Sequence, residues 1–231
     1  MFWWVVKRWL PNARFALWSL RHPGCPFKQF YAERTANSLA ANKNRSSLGP
    51  SLKPGRATSA RHTFDKFLAH GLQPNDVVVD YGCGTLRLGV LFMTFLEAEH
   101  YVGLDIDDRI LAVGREQLAD DIVATKRPTL EVISEQSLKR VAARQPRWVC
   151  SKGVLQHIPP EELDDYFGSL AHLIHAGATG LLFSKAGRES ERTSPKTWVH
   201  SFDQLHAAAE GQGMRLDRLK KRGTFMELRA A

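Results

Sequence analysis

The chain has 231 residues and 43% of them are apolar, so it can bury a substantial core, which argues against global disorder. It contains no run of about 20 apolar residues, which argues against a membrane-spanning helix. Its three cysteines, Cys25, Cys83 and Cys150, show no C-x-x-C spacing. We therefore expect neither a disulfide framework nor a metal site, and a reducing, cytoplasmic location fits best.

The net charge of +8 is distributed unevenly along the chain. Residues 1–61 contain eleven Lys or Arg side chains and one acid, Glu33, which gives +10. Residues 62–231 contain 21 basic and 23 acidic side chains, which gives −2. We therefore divide the chain into a basic, tryptophan-rich extension with a linker at 1–60 and a near-neutral domain at 61–231. A nucleic-acid partner is not expected for the domain.

The extension begins with an aromatic segment at residues 2–20, which contains four of the six tryptophans, Trp3, Trp4, Trp9 and Trp18. Apolar residues recur there at helical spacing, Pro11 is expected to restart the helix, and His22-Pro23-Gly24 to end it. Three interpretations stay open. The segment is an interfacial helix on an anionic membrane, a cap over the substrate pocket, or a targeting segment.

A polar stretch at 37–60, rich in Asn, Ser, Gly and Pro, predicts a loop or linker. A short helix is expected near Thr63–His70, closed by Gly71.

From Val77 onward, strand and helix patterns alternate, which predicts a mainly parallel, doubly wound α/β sheet with helices on both faces. The predicted strands are Val77–Val79, Tyr101–Leu104, Leu130–Ile133, Trp148–Cys150 and Gly180–Phe183, with a closing hairpin of Met214–Leu219 and Thr224–Leu228 around Gly223. The predicted helices are Leu86–Leu96, Ile110–Asp121, Ser137–Arg144, Glu161–His175 and Phe202–Gln212.

A glycine-containing loop, Asp80-Tyr81-Gly82-Cys83-Gly84-Thr85, follows the first predicted strand. Gly82 and Gly84 allow a ligand to approach the main chain, and the next helix offers free N–H groups to a carboxylate or phosphate. The dinucleotide pattern G-x-G-x-x-G requires a third glycine where Arg87 stands, which disfavours a pyrophosphate site.

A second carboxylate, Asp105, follows the second predicted strand. Its two oxygens can accept both hydroxyls of a ribose. The alternative is a helix N-cap, a role that Asp107 or Asp108 could also take.

Three segments together, VVVDYGCGTLRLG (77–89), YVGLDID (101–107) and WVCSKGVLQHI (148–158), resemble the class I S-adenosylmethionine-dependent methyltransferases. The resemblance covers roughly residues 60–230 and implies a seven-stranded Rossmann-like sheet that ends in a hairpin. It also implies S-adenosyl-L-methionine as the cofactor.

By that resemblance, the cofactor's methionine part contacts Asp80 and the backbone of Gly82–Gly84, with Thr85 beside it. Asp105 binds the ribose and Ile106 lies against the adenine. A polar residue after the third strand meets the adenine amine; the candidates are Ser134, Glu135 and Gln136, and we favour Glu135.

The segment after the fourth strand borders cofactor and substrate in this family. It lacks the Asn/Asp-Pro-Pro-aromatic run of amino-methylating enzymes, and Val149 precedes Cys150 where cytosine C5 enzymes have proline, so nucleic acid is disfavoured as a substrate. His157 is a candidate general base, or else orders the loop through backbone bonds. Lys152 is a candidate for orienting an anionic substrate, or else reaches solvent.

These observations predict a methyltransferase that acts on a small molecule or glycan, with oxygen as the expected nucleophile. The alternatives are an NAD(P)-linked reductase and a catalytically silent methyltransferase-like binding module. Peripheral contact with an anionic membrane is expected only through residues 1–20.

Overall fold

The computed structural model describes residues 15–41, 54–194, 196–219 and 225–231. The strands are β1 (Val78–Tyr81), β2 (Tyr101–Asp105), β3 (Thr129–Val132), β4 (Trp148–Lys152), β5 (Thr179–Phe183), β6 (Ala186–Gly187), β7 (Glu191–Ser194), β8 (Thr197–Ser201), β9 (Met214–Arg218) and β10 (Met226–Ala230). The helices are α1 (residues 15–21), α2 (Phe27–Ala41), α3 (Pro54–Ala69), α4 (Gly89–Phe95), α5 (Asp108–Arg115), α6 (Asp120–Lys126), α7 (Glu135–Ala142), α8 (Leu163–Ile174) and α9 (Phe202–Glu210).

The main sheet has seven strands in the order β3-β2-β1-β4-β5-β10-β9. The first five strands in the chain pair in parallel, whereas β10 is antiparallel to both β5 and β9. The crossovers between the parallel strands contain helices, as such connections require. The predicted Rossmann-like sheet with a closing antiparallel pair is thus confirmed. The turn around Gly223 lies outside the described residues.

The strands β1, β2 and β4 are buried on both faces of the sheet, which explains their continuous apolar runs. Val78 of β1 and Cys150 of β4 pack with α3, α4 and α5 on one face. Val79 of β1 and Val149 of β4 pack with α7, α8 and α9 on the other. Because neighbouring residues of a strand point to opposite faces of the sheet, β1 and β4 each pack against helices on both faces. The glycine-containing loop, which follows β1, therefore has helices on both sides.

The single helix predicted for Ile110–Asp121 is wrong, because two helices occupy this stretch. α5 ends at Arg115, and α6 begins at Asp120 after an extended residue, Ala119 (ψ 141°). The charges explain the division. Asp120 and Asp121 complement the positive N-terminal end of α6, and Arg115 complements the negative C-terminal end of α5.

The predicted loop at 37–60 is also wrong at both of its ends. Residues 37–41 continue α2 and residues 54–60 begin α3. The predicted division at 60/61 falls inside α3, which runs through that point without interruption. The rest of the stretch, 42–53, lies outside the described residues.

A second sheet of three short strands, in the order β6-β8-β7, follows β5 and has no counterpart among the predicted elements. β6 has only two residues and β7, Glu191–Ser194, contains no apolar side chain, so neither shows the apolar run that predicts a buried strand. It contributes Trp198 to an aromatic cluster with Phe27 and Phe30 of α2. The small sheet thus provides part of the surface on which the N-terminal helices lie.

The two N-terminal helices, α1 and α2, pack on the domain. Phe15 and Trp18 of α1 contact the aromatic cluster, and the Trp18 indole donates a hydrogen bond to Glu33 of α2 at 2.8 Å. α1 ends at residue 21, before His22-Pro23-Gly24, as predicted. Residues 1–14, with Pro11 and three of the tryptophans, lie outside the described residues. Within the described ranges, no helix has the length and apolar character that crossing a bilayer requires.

Glu162, which precedes α8, caps the N-terminus of α2. Its carboxylate accepts hydrogen bonds from the backbone N–H groups of Phe27 and Lys28, the second at 3.1 Å. Two of the four free N–H groups at the start of α2 are therefore satisfied by a carboxylate more than 130 residues away in the chain. The start of α2 is therefore fixed to the domain, whereas the cap interpretation of residues 2–20 stays a prediction.

Gly114→Ala tests how tightly α5 packs on the glycine-containing loop. The new Cβ would lie 3.0 Å from Cγ of Leu86 and 3.3 Å from Cα of Thr85. Overpacking costs about 1–3 kcal/mol, more than the roughly 1 kcal/mol that alanine adds to a helix interior. We expect a net loss of about 1 kcal/mol in the free energy of unfolding, measured by urea denaturation.

The matched control is Gly168→Ala in α8, where the nearest heavy atom to the new Cβ is Oε1 of Gln212 at 3.4 Å, an ordinary contact. It should be neutral or stabilise by up to about 1 kcal/mol. Equal effects of the two substitutions would contradict the proposed packing.

Candidate active site

A cavity of about 800 Å³, here called the main cavity, opens at the carboxyl ends of β1, β2 and β4. Ligands of open parallel sheets bind at this edge, and the volume is typical of small-molecule sites. All but one of the predicted site residues line it: Asp80, Gly82, Gly84, Thr85, Asp105, Ile106, Lys152 and His157. The sheet thus brings together three segments that are distant in sequence.

The loop after β1 depends on two glycines with left-handed backbone conformations, Gly82 (φ 78°) and Gly84 (φ 57°). A Cβ on Gly82 would lie 2.2 Å from Cγ2 of Val154, whereas a Cβ on Gly84 would meet nothing within 4 Å. Gly82 therefore permits close packing of the loop on the segment after β4. Gly84 leaves its main chain open to the main cavity.

Leu86 also has a positive φ, 65°, although it carries a side chain. This conformation costs roughly 1 kcal/mol or more for an L-residue. The side chain is only 1% exposed and lies close to Gly114 of α5, so its burial offsets that cost. The left-handed residue also explains why α4 begins at Gly89, and not at Leu86 as predicted.

Asp105 joins the end of β2 to the glycine-containing loop. Its Oδ2 accepts a hydrogen bond from the Gly84 N–H at 2.7 Å, and its Oδ1 accepts one from the Ile106 N–H at 2.8 Å. Each carboxylate oxygen can still accept a further bond, because each has two lone pairs. Burial raises the pKa of Asp105 to about 6, and the two backbone hydrogen bonds oppose the shift.

The N-cap of α5 is Asp107, whose side chain accepts a hydrogen bond from the Arg109 N–H at 2.8 Å. A side-chain ion pair with the same arginine holds the pKa of Asp107 below its usual value. The capping alternative for Asp105 is thereby answered, because another carboxylate caps the helix. Asp105 remains available to a ligand in the main cavity.

Asp80, at 2% exposure, lies deeper than Asp105. Its Oδ2 accepts a hydrogen bond from the Tyr101 hydroxyl at 3.1 Å. Burial raises the pKa of Asp80 to about 7, and the Asp105 carboxylate adds to the shift while Lys152 opposes it. A buried carboxylate of this kind favours a cationic partner, since a positive charge would offset its desolvation.

Thr85 has a buried hydroxyl, Oγ1, without a hydrogen-bond partner among the described residues. Buried hydroxyls are nearly always hydrogen-bonded, so an unsatisfied one indicates a partner, such as a ligand or a water, that the described residues do not supply. Thr85 follows Gly84 directly and also lines the main cavity. It is therefore well placed to contact a polar ligand.

Lys152, at the end of β4, does not simply extend into solvent. Its Nζ donates a hydrogen bond to the Ser59 hydroxyl of α3 at 2.7 Å. Partial burial lowers the pKa of Lys152, and Arg87 adds to this effect. Lys152 therefore lies beside the main cavity with no carboxylate of the described residues in hydrogen-bond contact, and its role towards an anionic substrate stays a prediction.

His157 is held in place by a backbone hydrogen bond, and its catalytic role stays a prediction. Its Nδ1 donates a hydrogen bond to the backbone carbonyl of Lys196 at 2.8 Å, which orders the loop. Its Nε2 therefore carries the lone pair, and it accepts from the Gln156 amide at 3.2 Å. Burial lowers the pKa of His157, which favours the neutral imidazole. The Tyr31 ring lies 4.6 Å away, centroid to centroid.

Glu135 is the one predicted site residue that the structure does not bring into the main cavity. It is exposed in the first turn of α7 and forms an ion pair with Lys139 at 2.5 Å. Its neighbour Ser134 is the N-cap of α7, in reciprocal hydrogen bonds with Ser137. The preference for Glu135 is therefore corrected. Ile133, immediately before these residues, lines the cavity instead.

Side chains of α2 form a wall of the main cavity that the sequence patterns did not indicate. Tyr31 and Thr35 face the cavity, and burial raises the pKa of Tyr31 to about 12. Position 31 lies 49 residues before Asp80 in the chain and in no motif. Only the packing of α2, which Glu162 caps, shows that it belongs to the site.

No family model matches the sequence, and neither does any curated protein. Solved structures do match. Magnesium protoporphyrin IX methyltransferase from Synechocystis with bound SAM is 16% identical, with a TM-score of 0.67, over 90% of this chain and 99% of that one. DesVI from Streptomyces venezuelae is 17% identical, with a TM-score of 0.52, over 76% and 92%.

A complex of DhpI with SAH is 14% identical, with a TM-score of 0.53, over 88% of this chain and 95% of that one. At identities this low, the matches show a common fold only, and the activity has to be argued from the site. These matches span nearly the whole length of the neighbours, and the seven-stranded order described above is part of the likeness. The chain thus has the fold of the class I S-adenosylmethionine-dependent methyltransferases, as its sequence predicts.

Proposed function

We propose that this protein is a methyltransferase that uses S-adenosyl-L-methionine. The observation that carries the proposal is the Asp105 carboxylate, which lies in the main cavity bonded to the Gly84 N–H at 2.7 Å. A carboxylate that can accept hydrogen bonds from both hydroxyls of a diol is thus fixed against the open glycine-containing loop, at the edge of the sheet where ligands bind. Two solved structures of the same fold, described above, hold SAM or SAH.

The described residues fit each part of this cofactor. Asp80, buried beside the glycine-containing loop, would pair with the ammonium of the methionine part. Asp105 would accept the two ribose hydroxyls with its remaining lone pairs. The unpaired Thr85 hydroxyl would bond a polar group nearby. Ile106 and Ile133, which line the same cavity, would contact the adenine faces.

When bound, the cofactor would supply a methyl group on a sulfonium sulfur, and the neutral thioether of S-adenosylhomocysteine would be the leaving group. The protein then has mainly to exclude water and to hold the acceptor in line, an effect worth up to about 7–11 kcal/mol in favourable systems. α2 serves this purpose, because it covers one side of the main cavity with Tyr31 and Thr35.

The acceptor is proposed to be a small molecule or a glycan that is methylated at oxygen. A hydroxyl nucleophile must lose a proton, and His157 offers a neutral imidazole in the cavity lining. The Lys196 carbonyl fixes its tautomer, so Nε2 can accept that proton once the hydroxyl replaces the Gln156 amide. Lys152 also lines the main cavity and would orient an anionic group of the acceptor.

The cytoplasmic location and the membrane contact of residues 1–20 stay predictions. Most of that segment lies outside the described residues, and co-sedimentation with anionic liposomes would test the contact.

Thermal denaturation tests the identity of the cofactor. S-adenosylhomocysteine at about 100 times its dissociation constant should stabilise the native protein by roughly 2.7 kcal/mol and raise its Tm by about 5–11 °C. NADH and NADPH should leave the Tm unchanged, since no third glycine stands at position 87. A shift with the dinucleotides alone would favour the reductase. S-adenosylhomocysteine binding without turnover in an acceptor screen would favour a silent binding module.

Asp105→Ala should weaken S-adenosylhomocysteine binding at least about tenfold, because each lost bond to a charged group costs roughly 1.5–3 kcal/mol. Isothermal titration calorimetry measures the effect. Asp108→Ala is the matched control, since Asp108 is exposed, pairs with Arg115 and lies outside the cavity lining. Equal affinities of the two variants would contradict the ribose-binding role.

The pKa of Asp80 predicts how binding depends on pH. The carboxylate form pairs with an ammonium, and its population falls as the pH drops through about 7. S-adenosylhomocysteine affinity should therefore fall about tenfold or more from pH 7.5 to pH 5.5. Asp80→Asn should bind weakly and show a smaller change over this range. A variant with the full pH dependence would exclude Asp80 as its source.

A further inference from the structure

A second cavity, of about 380 Å³, lies beside the main cavity where β4 and β5 end. The two share three lining residues, Lys152, Gly153 and Gln156. A ligand seated in the second cavity could therefore extend across Gly153 into the main one. None of the residues proposed above to hold the cofactor lines the second cavity, so its role is separate.

The second cavity is strongly basic. Lys66 of α3, Lys152 of β4 and Lys185 after β5 all line it, with His62 beside them, and no Asp or Glu contributes to the lining. None of these four takes part in an ion pair within the described ranges. Residues 62–231 carry a net charge of −2, so this concentration of unpaired cations is a local feature.

Neutral hydrogen-bonding groups accompany the cations. The hydroxyls of Ser59 and Ser184 belong to the lining, and Ser59 already holds the Lys152 Nζ in place at 2.7 Å. Lysine ammonium groups and serine hydroxyls together can surround a carboxylate or a phosphate with donors. The main cavity has the opposite character, since Asp80 and Asp105 are buried there.

An aromatic wall adjoins the cations. Phe183 and Phe225 are stacked with ring centroids 4.8 Å apart and an interplanar angle of 17°. Both line the second cavity, and Phe225 is 6% exposed. This wall suits the apolar part of a ligand next to its charged group, which is the usual composition of a small-molecule site.

We propose that the second cavity binds the anionic group, a carboxylate or a phosphate, of the methyl acceptor. Lys66, Lys152 and Lys185 hold this group, and the hydroxyl to be methylated reaches past Gly153 towards His157. The inference rests on the proposed function, because it identifies the chemical class of the acceptor of that same site. Its anion-binding part can nevertheless be measured without turnover.

The test compares two double variants of the full chain that lose the same charge. Lys66→Gln with Lys185→Gln removes two cations of the second cavity and leaves the cofactor residues in place. Lys126→Gln with Lys139→Gln removes two cations of α6 and α7 that line neither cavity. Calorimetry at low ionic strength measures the binding of sodium pyrophosphate, sodium 4-hydroxybenzoate and S-adenosylhomocysteine to each protein.

We expect the wild type to bind at least one of the two anions, and the cavity variant to bind it at least tenfold more weakly. The control variant should stay within threefold of the wild type. Preference for pyrophosphate would assign a phosphorylated acceptor, and preference for hydroxybenzoate a carboxylated one. The proposal is overturned if the wild type binds neither anion, or if both variants lose affinity equally, since that would indicate only the overall charge.

S-adenosylhomocysteine separates this inference from the proposed function. Its affinity should be the same in all three proteins, because Lys66 and Lys185 do not line the main cavity. If the wild type binds the anion but not S-adenosylhomocysteine, the proposed methyltransferase function is contradicted, whereas the anion site is still supported. For a carboxylated acceptor that is turned over, KM should be higher in the cavity variant than in the wild type. For the uncharged methyl ester of that acceptor, KM should be the same in both proteins.

Discussion

The site depends on the two hydrogen bonds that the Asp105 carboxylate accepts from the N–H groups of Gly84 and Ile106. The Gly84 bond fastens the loop after β1 to the end of the neighbouring strand β2, and the Ile106 bond fixes the direction of the carboxylate. The N–H groups of Gly82 and Cys83 add two backbone bonds to the Leu104 carbonyl of β2. The same carboxylate is left with lone pairs that face the cavity, so one side chain both orders the site and can bind its ligand.

The loop is also held from its other side. Leu86 has an unfavourable backbone conformation that its burial against Gly114 stabilises, and Gly82 packs against Val154 where no side chain would fit. Folding therefore supplies the free energy that is needed to order this loop. A ligand then meets donors and acceptors that are already in position, which is how preorganisation raises affinity.

Charge divides the site into two parts. Asp80 and Asp105 are buried in the main cavity, whereas three lysines without carboxylate partners line the second, and Lys152 lies where the two meet. An ammonium group and an anionic group would be directed to different ends by such an arrangement. α2 covers the main cavity because Glu162 caps it and because aromatic rings from α1, α2 and β8 pack together.

The sequence alone determined the alternating architecture, the loop at Gly82 and Gly84, and the carboxylate at Asp105, because these depend on local periodicity and on residue types at fixed spacing within one strand-loop-helix unit. It placed Glu135 in the site wrongly, because spacing after a strand does not say which way a side chain points. Tertiary structure alone decided that α2 forms a wall of the cavity and that lysines from α3, β4 and the segment after β5 converge. Such contacts join residues far apart in the chain, so no local sequence pattern predicts them. They form only when the sheet brings the strand ends together.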